Sequence, residues 1–112
     1  MVCLALSQHI ANLLNLPPMV EKNTSPRSTA YTVSIDAARD ISTGISAEDR
    51  SQTVLTALLP DARPEDLVRP GHVFPLRAEE GGVLWRGGHT EASIDLCRLS
   101  GLREGAVLSE LM

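Results

Sequence analysis

Long apolar runs are missing from this 112-residue sequence. None approaches the roughly 20 residues that a helix needs to cross a bilayer, which excludes a membrane-spanning helix. Cysteine is scarce: Cys3 and Cys97 are the only two, far apart and without a Cys-x-x-Cys pair. They suit a reducing compartment better than a disulfide framework. No basic leader or cleavage site opens the chain, so no secretory signal is expected and the cytoplasm is the predicted location. Lysine is nearly absent, with Lys22 alone against nine arginines. The formal net charge of −4 lacks the positive footprint that broad nucleic-acid binding needs. The three histidines form no His-x-x-x-His, so a zinc site built within the chain is not expected. A hard divalent ion held by oxygens and one histidine stays compatible with the sequence.

What is present is ordinary for one globular domain with a modest core: 43% hydrophobic and 21% charged residues. Arginine makes the better fork for carboxylate or phosphate, and Arg69, Arg77 and Arg86 fall within eighteen residues. A local anion site is therefore compatible with the negative total, although a GC-rich genome accounts for the arginine usage equally well.

The chain opens on an apolar strand, "MVCLALS", and closes on another, "GAVLSELM". Domains rarely begin and end inside such strands, which predicts a fragment of something longer. Ser7 caps a helix expected to reach about Leu16, with Ile10, Leu13 and Leu14 on its apolar face and His9 on the polar one. Pro17 and Pro18 are expected to stop it. "STAYTVSIDA" alternates Thr29, Tyr31, Val33 and Ile35, a strand signal. Ser46 opens a second helix with Asp49 as a capping-box partner, an apolar face of Val54, Leu55, Leu58 and Leu59, and an end at Pro60. "DARPEDLVRPGHVFPLRAEEGG" reads as loop with one helical turn at Pro64 to Leu67, and "VLW" as a short strand. Thr90 is expected to cap a third helix to about Ser100, closed by Gly101. Helices alternating with strands predict an α/β or α+β layered domain.

The stretch "RGGHTEA" carries the clearest chemistry. Gly87 and Gly88 precede a helix start, where free backbone N–H groups and the helix dipole favour an anion, and Arg86 adds charge. His89 can donate, accept or ligate a metal. Spacing alone favours an ordinary capped helix start over a binding site. His72 sits in "RPGHVFPL", read as a proline-stiffened loop of the kind that displays catalytic side chains, although a lone loop histidine is more often only exposed. "STGISAEDR" offers Ser42, Thr43 and Ser46 as hydroxyl contacts or simply as a capping box, with Asp49 and Arg50 expected to pair at the surface. Glu110 stands in an apolar strand beside Leu108. Turned to a buried face it would act as a base near neutral pH, and at a strand end it would point into water.

These residues also resemble a known family. "RPGHVFPLR" and "GGHTEA", with "LNLPPMVEKNTS", "TAYTVSIDA", "STGISAEDR" and "GAVLSELM" in the same order, are similar to 3,4-dihydroxy-2-butanone 4-phosphate synthase. The resemblance runs over residues 1–112 and implies a partial domain of that enzyme. It implies an α+β fold, layered α-β-α around a mixed, mostly buried sheet, and a homodimer. The implied reaction is the riboflavin-pathway conversion of D-ribulose 5-phosphate to 3,4-dihydroxy-2-butanone 4-phosphate and formate, with magnesium or manganese. It further implies that Arg86, Gly87, Gly88, His89 and Thr90 bind the sugar phosphate together with Glu110. His89 would ligate the metal, and His72 and Glu110 would carry the proton transfers. Full-length members have a further N-terminal segment, with an Arg-Glu pair and an acidic loop that supplies a metal-binding glutamate, and they continue past Met112. Ser28 stands where glycine is common, a change expected to stiffen its loop, and Ser109 where cysteine is common. Two other readings accompany the enzyme: a non-catalytic module that binds sugar phosphate, and a structural remnant of the enzyme.

Overall fold

A computed structural model describes residues 1–110. The expectations for Leu111, and for the last part of the closing strand, lie outside the described residues. A four-stranded mixed sheet is built from β1 (Val2–Leu6), β2 (Ile35–Ala37), β3 (Leu67–Arg77) and β4 (Gly105–Leu108). The strand order is β2-β3-β1-β4. β1 runs parallel to β3 and antiparallel to β4, and β2 runs antiparallel to β3. Three helices cover it: α1 (Gln8–Leu13), α2 (Ala47–Ala57) and α3 (His89–Leu99).

The alternation along β1 sets the layers. Leu4 and Leu6 point to one face, where they pack with Ile10, Ala11 and Leu14 of α1, Ala57 of α2, Ile35 and Val73. Ala5 points to the other face and meets Ala78, Ile94 of α3 and Leu108. The result is the expected α-β-α layering around a mixed sheet.

Several local expectations are corrected. α1 stops at Leu13, before the prolines: Leu14 caps it and Asn15 turns left-handed at φ 52°. Leu13 is exposed, so the buried face is Ile10, Ala11 and Leu14. Two β3 arginines close this end. Arg69 donates to the carbonyls of Leu14 and Asn15, and Arg77 to that of Leu16 and to Gln8 and Asn12. These bonds commit Arg69 and Arg77 to the helix end rather than to an anion site shared with Arg86.

"STAYTVSIDA" pairs as a strand only from Ile35. Before that, Tyr31 bridges to Leu76 of β3, and Thr32 bridges to Pro18 outside the sheet. α2 ends at Ala57 with Leu58 as its cap, short of Pro60; its buried positions are Asp49, Thr53 and Ala57, while Leu55 and, beyond the helix, Leu59 face solvent. "VLW" is no strand: Gly82–Leu84 forms a 3₁₀ turn. The turn at Pro64–Asp66 appears as expected.

The largest correction concerns "RPGHVFPL", which lies within the eleven-residue β3 rather than in a loop. Its pairing with β2 is nevertheless broken there. Ile35 pairs with Val73, but the next residue, Asp36, pairs with Val68. The residues between, Arg69 to His72, form a bulge, a device that re-aims a side chain within a sheet. Gly71 makes it possible, because a Cβ there would collide with the backbone of Ile35 and Asp36.

Candidate active site

His72 leaves the bulge half-exposed and turns toward β2. Its backbone N–H donates to Asp36 Oδ1 at 2.9 Å, and its ring Nδ1 lies 3.0 Å from Asp36 Oδ2. A carboxylate only accepts, so the contact places a hydrogen on Nδ1, and in the neutral ring Nε2 keeps its lone pair. Asp36 is buried, and Gly71 N–H is held by Ser34 Oγ at 3.0 Å. The bulge and the Asp36 pair thus present His72 as an oriented proton acceptor.

Asp36 was not singled out in the sequence. A signal existed, since an aspartate inside the apolar "SIDA" run needs a partner when buried.

Glu110 follows β4 and is exposed, which decides between the two orientations left open. The sheet register brings it near His72. Val2 pairs with Val73 and Cys3 with Leu108, and continuing both registers sets Met1 between His72 and Glu110. At a strand spacing of about 4.8 Å, the backbones of His72 and Glu110 stand about 10 Å apart. Ser109 Oγ, bonded to the Met1 carbonyl at 3.2 Å, keeps this edge closed. Burial pushes the Cys3 thiol above its ordinary value; the positive N-terminus opposes this and the Glu110 carboxylate adds to it. Burial likewise raises the Tyr31 phenol, with Cys3 and Glu110 contributing. Cys3, Tyr31 and Glu110 therefore share one neighbourhood at this end of the sheet.

The turn before α3 holds the other group. Gly88, not Thr90, is the N-cap of α3, and Thr90 lies buried in the first turn. Nothing lies within 4 Å of where a Gly87 side chain would stand, so the backbone there is open to a ligand. Gly88 is closed in, because a Cβ would run into Arg86 and Glu91. Arg86 Nη1 donates to Glu91 Oε1 at 2.7 Å, and Arg86 Nη2 to the Arg27 carbonyl at 3.1 Å. Glu91 is 1% exposed and takes the Glu79 N–H with its other oxygen at 2.9 Å. Arg86 is thus anchored beside the turn with about a third of its side chain exposed. Glu91 is a second residue that sequence reasoning passed over, having been read only as part of a helix start.

Arg86, Gly87, Gly88, His89 and Thr90 are consecutive around the start of α3, while His72 and Glu110 are related only through the register on either side of Met1. Among the described residues no hydrogen bond joins the two groups. His89 is exposed at the first position of α3 and fits as one ligand of a divalent ion. Among the described residues no three His, Cys, Asp or Glu side chains gather to complete such a site. Ser42 and Ser46, weighed as hydroxyl contacts, are occupied: Ser42 Oγ donates to Asp49, and Ser46 Oγ caps α2.

The fold is α+β, with a bulge-borne histidine on an inner strand of the sheet and an open glycine turn at a helix start. The family model for 3,4-dihydroxy-2-butanone 4-phosphate synthase matches residues 1–112. The enzyme of that name from Pasteurella multocida (strain Pm70) is 56% identical over 110 residues, covering 98% of this chain and 51% of its own length. That from Pectobacterium atrosepticum is 57% identical, with the same coverage of both chains. A crystal structure of a 3,4-dihydroxy-2-butanone 4-phosphate synthase in complex with two magnesium ions superposes with a TM-score of 0.96 at 52% identity, covering 98% of this chain and 51% of that one. The Candida albicans enzyme superposes at 0.91 with 44% identity, covering 99% and 54%. The chain belongs to the 3,4-dihydroxy-2-butanone 4-phosphate synthase family and spans about half the length of the curated relatives it matches.

Proposed function

We propose that residues 1–112 are a partial domain of a lyase that converts D-ribulose 5-phosphate to 3,4-dihydroxy-2-butanone 4-phosphate and formate. The observation that carries this is the open Gly87 turn at the start of α3, with Arg86 anchored beside it, in a chain more than half identical to synthases of that name. In this reading Arg86, Gly87, Gly88, His89 and Thr90 hold the phosphate and sugar, with Glu110 contributing a contact. The two products together contain the atoms of the substrate, so the protein has to supply proton transfers and charge stabilisation rather than redox chemistry. His72 accepts and returns protons at Nε2, and Asp36 steadies the charge its ring gains. Glu110 acts from the other side of Met1.

His89 is assigned as one ligand of a divalent ion, magnesium or manganese, and a relative solved with two magnesium ions supports the choice of a hard cation. When bound, such an ion polarises the carbonyl and hydroxyl oxygens of the sugar. A homodimer accords with the exposed Leu84, Trp85, Leu99 and Leu102. A cytoplasmic location accords with the two free cysteines. Among the described residues no helix is long and apolar enough to cross a membrane.

Because the chain spans half the length of its relatives, a non-catalytic module that binds the sugar phosphate is the second reading. Formate release separates the two. The assay compares the chain alone with the chain supplied with the acidic N-terminal segment of full-length members. Formate in either case supports the lyase, and its absence in both, with binding retained, supports the module. No binding and no formate overturns both readings.

A further inference from the structure

The Asp36–His72 pair is itself held from behind. Gly44, at φ 90°, lies against the Asp36 carboxylate so closely that a Cβ there would stand 2.5 to 2.8 Å from all three of its carboxyl atoms. Gly44 belongs to the turn that precedes α2, and a single atom closes that turn. Asp49 Oδ2 accepts from Ser42 N–H at 3.2 Å, from Ser42 Oγ–H at 2.9 Å and from Gly44 N–H at 3.0 Å.

A first-turn aspartate that merely capped its helix would bond back to the N-cap residue. Here Ser46 Oγ already caps, by accepting from Asp49 N–H, and the Asp49 carboxylate reaches across to the turn instead. The same residue grips Asp36 from a second side. The Asp49 carbonyl accepts from Thr53 Oγ1 at 3.1 Å, and Thr53 Oγ1 accepts from the N–H of Ala37, the neighbour of Asp36, at 2.9 Å.

We infer that Asp49 is a positioning residue for His72: it folds the Ser42–Gly44 turn onto Asp36 and thereby keeps the hydrogen on Nδ1. This deepens the functional reading, since it gives His72 a fixed accepting nitrogen. It rests on that reading only for the use to which His72 is put. With Asp49 in place the Asp36 carboxylate has no room to rotate away, because Gly44 fills the space behind it. Without it the turn is free to lift, and Asp36 loses the contact that aims it.

Long-range proton–nitrogen correlation spectra of histidine-labelled chain read the tautomer directly, without substrate or turnover. The wild-type chain at neutral pH is expected to show His72 in the Nδ1–H form. In Asp49→Asn the Nε2–H population of His72 should rise several-fold, with His9 and His89 unchanged. Glu48→Gln, which alters an exposed acid on the same helix turn, should leave His72 as it is. Ser42→Ala removes one of the three bonds to Asp49 from an exposed position and should move His72 part of the way; it decides the matter if Asp49→Asn does not fold. An unchanged His72 tautomer in a folded Asp49→Asn chain, or in Ser42→Ala when the first variant fails to fold, overturns the inference. So does a wild-type His72 already in the Nε2–H form. A chain that binds no sugar phosphate overturns the functional reading and leaves these spectra to decide the role of Asp49.

Discussion

Arg86 Nη1 stands 2.7 Å from Oε1 of Glu91, and the two differ sharply in exposure: the Arg86 side chain keeps about a third of its surface in water, the Glu91 side chain 1%. Removing the arginine strands a buried carboxylate, whereas neutralising the glutamate leaves a cation that still reaches solvent. Arg86→Met should therefore destabilise the chain by about 3 kcal/mol. Glu91→Gln keeps an acceptor for the guanidinium but sets its amide NH2 against the Glu79 N–H, and should cost about 2 kcal/mol. Urea unfolding checks the order. Equal losses, or none for Arg86→Met, would show that the pair does not hold the turn together. Any loss of ligand affinity on changing Arg86 has to be read beside this stability change.

Gly71 is required by contact rather than by its backbone angle. A methyl group there meets the backbone of Ile35 and Asp36, which cannot swing aside as a side chain would. Gly71→Ala should cost about 3 kcal/mol and push His72 away from Asp36. The check is thermal unfolding together with the His72 amide shift. A variant as stable as the wild type, with that shift intact, would mean the bulge has slack that the structure lacks.

Ser28 sits at φ 50°, in the left-handed region that non-glycine residues enter at a cost. Ser28→Gly should relieve a strain of about 1 kcal/mol and raise the unfolding midpoint. A lower midpoint would show that glycine's greater freedom in the unfolded chain outweighs the relief.

Asp49 gives stability a dependence on pH. The Ser42 hydroxyl, and then the Gly44 N–H, hold its carboxyl below the usual carboxylate range, and burial only partly opposes them. A depressed carboxylate stabilises the fold fully above its unfolded value, about 3.9. That contribution is lost as pH falls through the lower folded value. Glu104, depressed mainly by its bond from Arg98, acts in the same direction. The urea midpoint should hold steady on the neutral side and drop on acidification below about pH 4. Asp49→Asn should flatten that drop, and an identical acid profile in the variant would remove Asp49 from the account.

The layers and helix starts were legible because they depend on neighbours in sequence. Ser7 and Ser46 cap as their spacing says. The alternation in "VCLAL" is what sorts Leu4 and Leu6 from Ala5. Gly101, at φ 69°, closes α3 where glycine at a helix end predicts it. The errors arose where a partner is distant. Pro70 and Gly71 look like loop residues, and only pairing with β2, thirty-odd residues earlier, makes them a bulge inside a strand. Arg69 and Arg77 look like anion binders until the carbonyls at the end of α1 claim them. In the candidate site, the glycine turn and both histidines were visible as motifs. Asp36 and Glu91 were not, since a buried carboxylate reveals its purpose only beside the group it holds.

The most direct test is to titrate D-ribulose 5-phosphate, with magnesium present, into nitrogen-labelled chain and to follow the backbone amides. The account predicts saturable shifts centred on Gly87, Gly88, His89 and Thr90, lost in a folded Arg86→Ala chain. No saturable shift at that turn, or the same shifts in Arg86→Ala, would contradict it.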